Sequence, residues 1–420
     1  MVSLNREYEL VLFGATGFTG RVTAEHIATY LPSDLVWALA GRSANKLNQL
    51  NEKVRLLNPD RLSPGIEIAE LNKEDLDALA KKTKLVIAAV GPYSLYGTDL
   101  VEACARNGTH YLDVTGETPW VYQIIQDYHE QAKATGAIMI PQIGIESAPA
   151  DLMTWTLVTA LREKYSITTE EVIFTIHRIR GEFSGGTAAT VLSILDVYSA
   201  KQLARSFAPW AFSPVPGVAY KDPGAIVGVR HVPELGTLTT SPNGRTDRTI
   251  VERSWGLMGQ GSVYGPRFHY HGYITVRNTL FAVAWHILFT TFAALLFLSP
   301  VRWLLRKLVY LPGTGASPEA TKRESIEVRA LAISSPIENV STGAVSRHRA
   351  LAKMRYKGGI YYLTGVFLAE AAYVLLRGSA DDQVLAKKLG GGILTPATLG
   401  QPFIDRLVKA GVEVEVEVLD

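Results

Sequence analysis

Cysteine is almost missing. Cys104 is the only one in 420 residues, so no intrachain disulfide forms and a reducing compartment is favoured. Neither a Cys-x-x-Cys nor a His-Glu-x-x-His pattern occurs, and the nine histidines are scattered, so no metal centre is expected. An excess of charge of one sign is missing too. With 42 Lys and Arg against 40 Asp and Glu the formal charge is +2, which offers no global attraction to nucleic acid or to an acidic partner. The first residues hold no basic stretch leading into an apolar one, so no secretory signal is expected and the N-terminal part reads as cytosolic.

What is present is 47% hydrophobic residues in a rhythm of alternating short elements, enough for two or three domains. The patterns predict strands over Tyr8–Phe13, Leu35–Ala40, Ile66–Leu71, Leu85–Val90, Tyr111–Val114 and Ala137–Ile143. Helices are predicted between them, from Gly20 to about Leu31 and over Asn45–Leu57, Lys73–Lys82, Thr98–Asn107 and Thr118–Thr135. Continuous apolar runs such as Leu85–Val90 fit strands buried on both faces, and the alternation predicts a doubly wound parallel sheet of the Rossmann type over residues 1–150. Beyond it the rhythm changes. Residues 151–278 read as an α+β substrate or dimer domain, with helices over Leu152–Lys164 and Thr187–Ala204 and strand-like Glu171–Arg180 and Arg267–Arg277. Residues 279–315 read as an apolar helical insertion. Residues 316–420 are expected to complete the α+β domain and return to the first, through strand-like Ile326–Ile333, helices at Tyr361–Leu376 and Pro396–Ala410, and a last strand at Val412–Val418.

Between the first strand and its helix stands Gly14-Ala15-Thr16-Gly17-Phe18-Thr19-Gly20. Glycines three apart let the chain turn tightly and bring backbone N–H groups to a pyrophosphate, while the helix start adds its positive end. An ordinary strand–helix turn is the alternative, but the loop sits at the first such junction, as dinucleotide binding requires. The second strand runs into Ala40-Gly41-Arg42-Ser43, with Lys46 a turn later. An NAD site places a carboxylate here for the ribose 2′-hydroxyl; a guanidinium, a hydroxyl and an ammonium suit the 2′-phosphate of NADP instead. The fourth strand runs into Val90-Gly91-Pro92-Tyr93, where the fold brings the chain beside the cofactor. None of the 18 tyrosines has a lysine four residues on, which argues against short-chain dehydrogenases and their Tyr-x-x-x-Lys pair.

Several segments resemble the saccharopine dehydrogenase-like oxidoreductases: Gly14–Gly20, Ala40–Ser43, Gly91-Pro92-Tyr93 with Tyr96-Gly97, and Asn107–Glu117. Farther on, Ser184–Thr187, Pro300–Lys307 and Gly391–Val418 do the same, so the resemblance runs from end to end. One departure follows the sixth strand, where the family often has Gly-Phe-Asp-Ser and this chain has Gly144-Ile145-Glu146-Ser147. The resemblance implies hydride transfer from NADPH to an α,β-unsaturated acyl group, as in enoyl reductases that serve polyketide synthases in trans, with the acyl chain free or on a carrier protein. Reduction of an imine or amino-acid conjugate, with Arg178, Arg180 or Arg230 clamping carboxylates, is the alternative enzyme. A membrane-bound NADPH-binding scaffold without turnover is the alternative outside enzymes.

Reduction also needs a proton donor and a group to polarise the acceptor. Tyr93, Tyr96 and Glu117 are the candidates, although both tyrosines equally suit packing over the cofactor ribose and Glu117 a helix start. Asp113 reads as a cap or ion-pair partner, Glu146 as a residue able to face the cleft, and His177 as a structural histidine on a strand. Leu280–Leu298 is apolar apart from His286, Thr290 and Thr291, and Ser299-Pro300 then leads into a stretch with Trp303, Arg302, Arg306, Lys307 and Tyr310, ending at Pro312. At about 1.5 Å per residue such a run just spans a hydrocarbon core of about 30 Å. Because the family resemblance continues beyond it, the expectation is a helix pair dipping into one leaflet of a membrane or lipid droplet on the cytoplasmic side, with a buried core or homodimer helix as the alternative.

Overall fold

The computed structural model describes residues 6–181, 192–220, 222, 224, 226–308, 323–338, 343–378 and 384–419, apart from the side chains of Arg306 and Leu308. Ser184–Thr187, the predicted helix start at Thr187, Tyr310 and Pro312 lie outside the described residues. Strands β1 (Tyr8–Phe13), β2 (Trp37–Gly41), β3 (Gly65–Ile68), β4 (Thr83–Ala88), β5 (His110–Asp113) and β6 (Ile138–Ile140) lie in one sheet. With a later strand, β15 (Gly392–Ile393), they form a seven-stranded sheet in the order β15-β6-β5-β4-β1-β2-β3, every pair of neighbours parallel. Leu10–Leu12 and Leu85–Ile87 are sealed from solvent, because helices cover both faces: α1 (Phe18–Tyr30), α2 (Ala44–Leu57), α3 (Lys73–Lys82), a single turn α4 (Tyr93–Tyr96), α5 (Thr98–Asn107) and α6 (Thr118–Thr135). Local chemistry sets their ends. Asn72 caps α3 by accepting from Asp75 N at 2.8 Å, with acids in its first turn and lysines in its last, and α6 stops where Gly136 turns left-handed at φ 79°.

The second body is built on helix α7 (Ala148–Tyr165) and a sheet of strands β7 (Thr169–Arg180), β8 (Arg230–Val232), β9 (Gly236–Thr240), β10 (His269–Val276), β11 (Ser325–Ser334), β14 (Arg349–Lys357) and β16 (Glu413–Leu419). Their order is β16-β14-β11-β7-β10-β9-β8, antiparallel except between β7 and β10. A small ribbon, β12 (Ile337–Glu338) with β13 (Val345–Ser346), stands apart. Further helices are α8 (Ala200–Ser206), α9 (Gly244–Leu257), α10 (Thr279–Leu295), α11 (Ser299–Leu308), α12 (Ile360–Arg377), α13 (Leu385–Lys388) and α14 (Gly400–Lys409), and residues 192–197 are helical as well.

Differences from the sequence expectation have local causes. Helix α8 begins afresh because Ser199 and Gln202 form a reciprocal cap, so the pattern read as one helix to Ala204 is broken. The predicted helix Pro396–Ala410 is a 3-10 turn over Pro396–Leu399 followed by α14, split where Gly400 takes φ 62°. Strand β4 leaves the sheet after Ala88, while Ala89 N still donates to Phe13 O at 2.8 Å.

Two helices are long and apolar, and their surroundings differ. Helix α12 is mostly buried, packing against α1 and α14. It carries Glu370, whose carboxylate receives His26 Nε2 from α1 at 2.8 Å and Arg406 Nε from α14 at 2.5 Å. An acid inside an apolar helix therefore ties three helices together, since an ionic group is tolerated there only with partners. Glu370→Ala leaves His26 and Arg406 facing a void, so we expect a loss of about 3 kcal/mol of stability, read as a lower urea midpoint with an unchanged slope.

Candidate active site

The crevice opens where β1 parts from β4 and β2, the place at which strand order reverses and open α/β sheets take ligands. Gly14 adopts φ 82°, and a Cβ on it would lie 2.5 Å from Val90 Cγ2 and 2.7 Å from Ala89 O, so the loop and the exit of β4 touch. A Cβ on Gly20 would meet Gly14 O at 2.3 Å, which is how α1 comes so close under the loop. Gly17 differs. It is exposed, caps α1 without any side chain, and has no atom nearer to its hypothetical Cβ than Gly14 O at 3.3 Å. The free N–H groups of the helix start, with no acid in the first turn, make this an anion seat. Thr16, Phe18 and Thr19 around it are half-exposed.

At the end of β2, Gly41 is buried while Arg42 and Lys46 are exposed. Ser43 caps α2, its Oγ accepting from Lys46 N at 3.5 Å, and no acid stands in the first turn of α2. Two cations and a second helix start thus share one corner of the crevice.

At the exit of β4, Gly91 is exposed and Pro92 half-buried, flanking the glycine loop. Tyr93 turns away from solvent. Its hydroxyl donates to Ala88 O at 2.9 Å, and burial raises the phenol well above its ordinary range. Glu117 is sealed and accepts from Tyr93 N at 2.6 Å and Ser94 N at 3.0 Å, so it holds the Pro92–Ser94 turn in place. Neither side chain presents a proton to a ligand in this arrangement. Of the three candidates named from sequence only Tyr96 is exposed, at 44%.

The floor is acidic. Asp113 Oδ1 accepts from Thr115 N and Gln142 N, both at 2.9 Å, and burial raises its carboxyl to about 7 against those bonds. Gln142 stands at φ 62° just past β6, a conformation that favours glycine. Glu146 follows. Water reaches its side chain, so its desolvation is that of a crevice; this enclosure raises its carboxyl to about 7. Opposite stands Asp247 of α9, only 2% exposed and raised well above its ordinary value by burial and then by the charge of Glu146. Sequence reading missed Asp247 because it lies in a stretch marked only by Pro, Gly and Thr; an acid in the first turn of an unrecognised helix was the one available signal.

Elsewhere, His177 lies half-buried on β7, with Nδ1 3.4 Å from Thr275 Oγ1, apart from this floor. His269 and His271 are not scattered in space: with Glu171 they place ligand-type atoms within 4.8 Å of one another. Arg230, however, grips both Glu171 oxygens at 2.6 and 2.9 Å. Burial alone would raise that carboxyl, but hydrogen bonds from His271 and Arg230 hold it at about 2. A cation there would have to displace a bidentate guanidinium, so we read the cluster as an ion pair.

Residues 10–140 match the family described as saccharopine dehydrogenase NADP binding domain. The chain is 32% identical, over 99% of both chains, to a Mycobacterium tuberculosis protein whose name assigns it provisionally as a trans-acting enoyl reductase. It is 31% identical, over 98% of both, to a trans-acting enoyl reductase of the same organism. Against a mouse saccharopine dehydrogenase-like oxidoreductase it is 30% identical over 99% of both. Among solved structures, apo saccharopine dehydrogenase (L-Glu forming) of Saccharomyces cerevisiae superposes with a TM-score of 0.52 at 12% identity, covering 98% of this chain and 100% of that one. The chain therefore binds NADP(H), and the open Gly17 cradle with Arg42, Ser43 and Lys46 fits that cofactor. We expect NADPH to bind at least tenfold tighter than NADH, and Arg42→Ala to remove roughly tenfold of that preference. Gly17→Val should abolish binding of both. Fluorescence titration checks all three, and equal affinities in the unmutated protein would contradict the assignment.

Proposed function

Because the chain belongs to the saccharopine dehydrogenase-like oxidoreductases, we propose that it reduces the activated C=C bond of an enoyl thioester, an acyl or polyketide chain supplied in trans. The observation that carries this reading is similarity over nearly the whole length to relatives named trans-acting enoyl reductase. When bound, NADPH supplies a hydride; the chain has to orient the acceptor, exclude water and deliver a proton. The saccharopine-type alternative calls for guanidinium clamps on carboxylates. Of the three arginines read as candidates, Arg230 is committed to Glu171, and Arg178 and Arg180 stand at the exposed end of β7. Purified protein should consume NADPH with medium- and long-chain enoyl thioesters and not with mixtures of an α-keto acid and an amino acid. The reverse pattern would make it an imine reductase, and no consumption with either would leave a cofactor-binding scaffold.

We also propose that α10 and α11 rest in one leaflet of a membrane or lipid droplet. Helices α10 and the start of α11 bend by 103° about Leu296–Leu298. Leu280 is 81% exposed, Leu288 66% and Trp303 58%, while Ala282 is the only buried residue of α10. Arg302 donates to Leu296 O and Phe297 O at 2.9 and 3.0 Å and pairs with Asp196 at 3.4 Å, bracing the bend, while Lys307 Nζ lies 3.7 Å over the Trp303 ring, an aromatic and basic pair suited to lipid headgroups. The helix is anchored to the body by Trp285 Nε1 donating to Thr240 O at 3.0 Å and by His286 against Thr240 Oγ1 at 2.7 Å. The protein should cosediment with anionic lipid vesicles, and a Leu288→Asp, Phe292→Asp variant should stay in solution while still binding NADPH. A soluble dimer that ignores vesicles would instead make this face a subunit contact.

A further inference from the structure

Seven acidic residues are buried among the described residues: Asp113, Glu117, Asp151, Asp247, Glu252, Glu324 and Glu370. Six have donors aimed at them. Besides Asp113, Glu117 and Glu370, Asp151 accepts from Ser254 Oγ and Ala397 N, Glu252 from Trp210 N, and Glu324 from Ile360 N. Asp247 is the exception: its Oδ1 is buried without a partner, and its carboxyl makes no ion pair among the described residues. Glu146, whose charge it feels, likewise has no hydrogen bond or ion pair on its side chain among the described residues. One contact joins their elements directly, and a second ties α9 to the start of α6. Asn243 Nδ2 donates to Glu146 O at 3.5 Å, and Thr118 and Thr246 share a hydroxyl bond of 2.9 Å. A purely structural acid gains from being ionised and bound by N–H groups; an acid denied every donor is kept protonated.

The groups facing the pair offer no relief. Tyr270 of β10, whose hydroxyl is also without a partner, feels the charge of Asp247, and Tyr93 feels that of Glu146. Asp151 of α7 is committed to its own donors, and no cation among the described residues acts on either carboxyl; the positive fields are those of two helix starts, α9 at Asp247 and α7, whose cap Ser147 follows Glu146. Asp247 is cut off from water while Glu146 meets it, and two neighbouring carboxyls of which one is so enclosed do not readily ionise together.

We propose that Glu146 is the proton donor of the reduction and that Asp247, protonated behind it, is the positioning residue that keeps it supplied. The inference rests on the enoyl reading. As hydride reaches the β-carbon, the C=C electron pair moves toward the α-carbon and the thioester oxygen. The Glu146 O–H bond breaks, an α C–H bond forms, and Glu146 is left as a carboxylate that regains its proton from crevice water. The substrate gains one hydride and one proton, and the protein ends unchanged.

Two measurements separate this from the substrate assignment. Carbon-13 NMR of labelled Asp and Glu carboxyls in cofactor-free protein should show two coupled groups still protonated near neutral pH. Glu146→Gln should remove one signal and move the other's titration to lower pH, while Asp247→Asn removes the other. With an enoyl thioester, kcat should fall as pH rises through the Glu146 transition. Glu146→Gln should lower kcat by roughly a hundredfold or more and abolish that alkaline limb, with the Kd for NADPH unchanged. Should both carboxyls ionise in the ordinary range, at about pH 4 to 5, the proposal is overturned whatever the substrate. If the pair titrates as described but enoyl thioesters are not reduced, the proton-holding pair stands and the substrate assignment falls.

Discussion

The guanidinium of Arg253 fastens the second body to the first sheet. It sits on α9, six residues beyond Asp247, and is 2% exposed without a carboxylate partner among the described residues. Its Nε and NH2 donate to Ile393 O, its NH2 also meets His129 Nδ1 at 3.0 Å, and its NH1 donates to Phe212 O. Burial lowers the group to about 9, so the charge is costly, and two carbonyl dipoles and an imidazole nitrogen offset the cost. One residue thereby pins a helix of the second body onto the edge strand of the first sheet. Asp247 faces Glu146 because of that pin, and the same helix carries Ser254 to Asp151, fastening the chain just before the last helices.

The first sheet was legible in the sequence because parallel strands buried on both faces are written as unbroken apolar runs, and because glycines three apart have few other uses. Arg42 was legible by the acid it replaces. The directions of Tyr93 and Glu117 were not. Both lie within a few residues of the cofactor loop in space, and only the hydrogen bonds to Ala88, Tyr93 and Ser94 reveal that they brace a turn. Asp247 and Arg253 were invisible for another reason: α9 is half polar, and its burial comes from the docking of two bodies, a tertiary fact with no local periodicity.

The apolar helices make the same point from the other side. By composition α12 and α10 pass for the same kind of object: α12 alone is long enough to suggest a membrane, and α10 is so together with the start of α11. What separates them is a partner. Glu370 is satisfied inside the fold, so α12 belongs to the core, whereas most large side chains of α10 look outward and Trp285, His286 and the Ala282 carbonyl tie it back to β9. The residues that follow β9 lead directly into α9, so the outward-facing hairpin and the acidic floor of the crevice grow from the same strand.

Strand β15 is two residues long, yet it carries a consequence for how the chain comes to be folded. During synthesis β6 emerges before β7–β14 and must wait for all of them before Gly392 and Ile393 pair with Ile138 and Met139. Through that interval the nascent sheet has a bare hydrogen-bonding edge, the geometry on which strands of neighbouring chains aggregate. His129, whose Nδ1 accepts from Ile393 N, has no strand to receive until then. The cofactor-binding half is thus finished by a strand that follows β7–β14 of the second body, and a cell making this chain handles an exposed sheet edge until that strand has been synthesised.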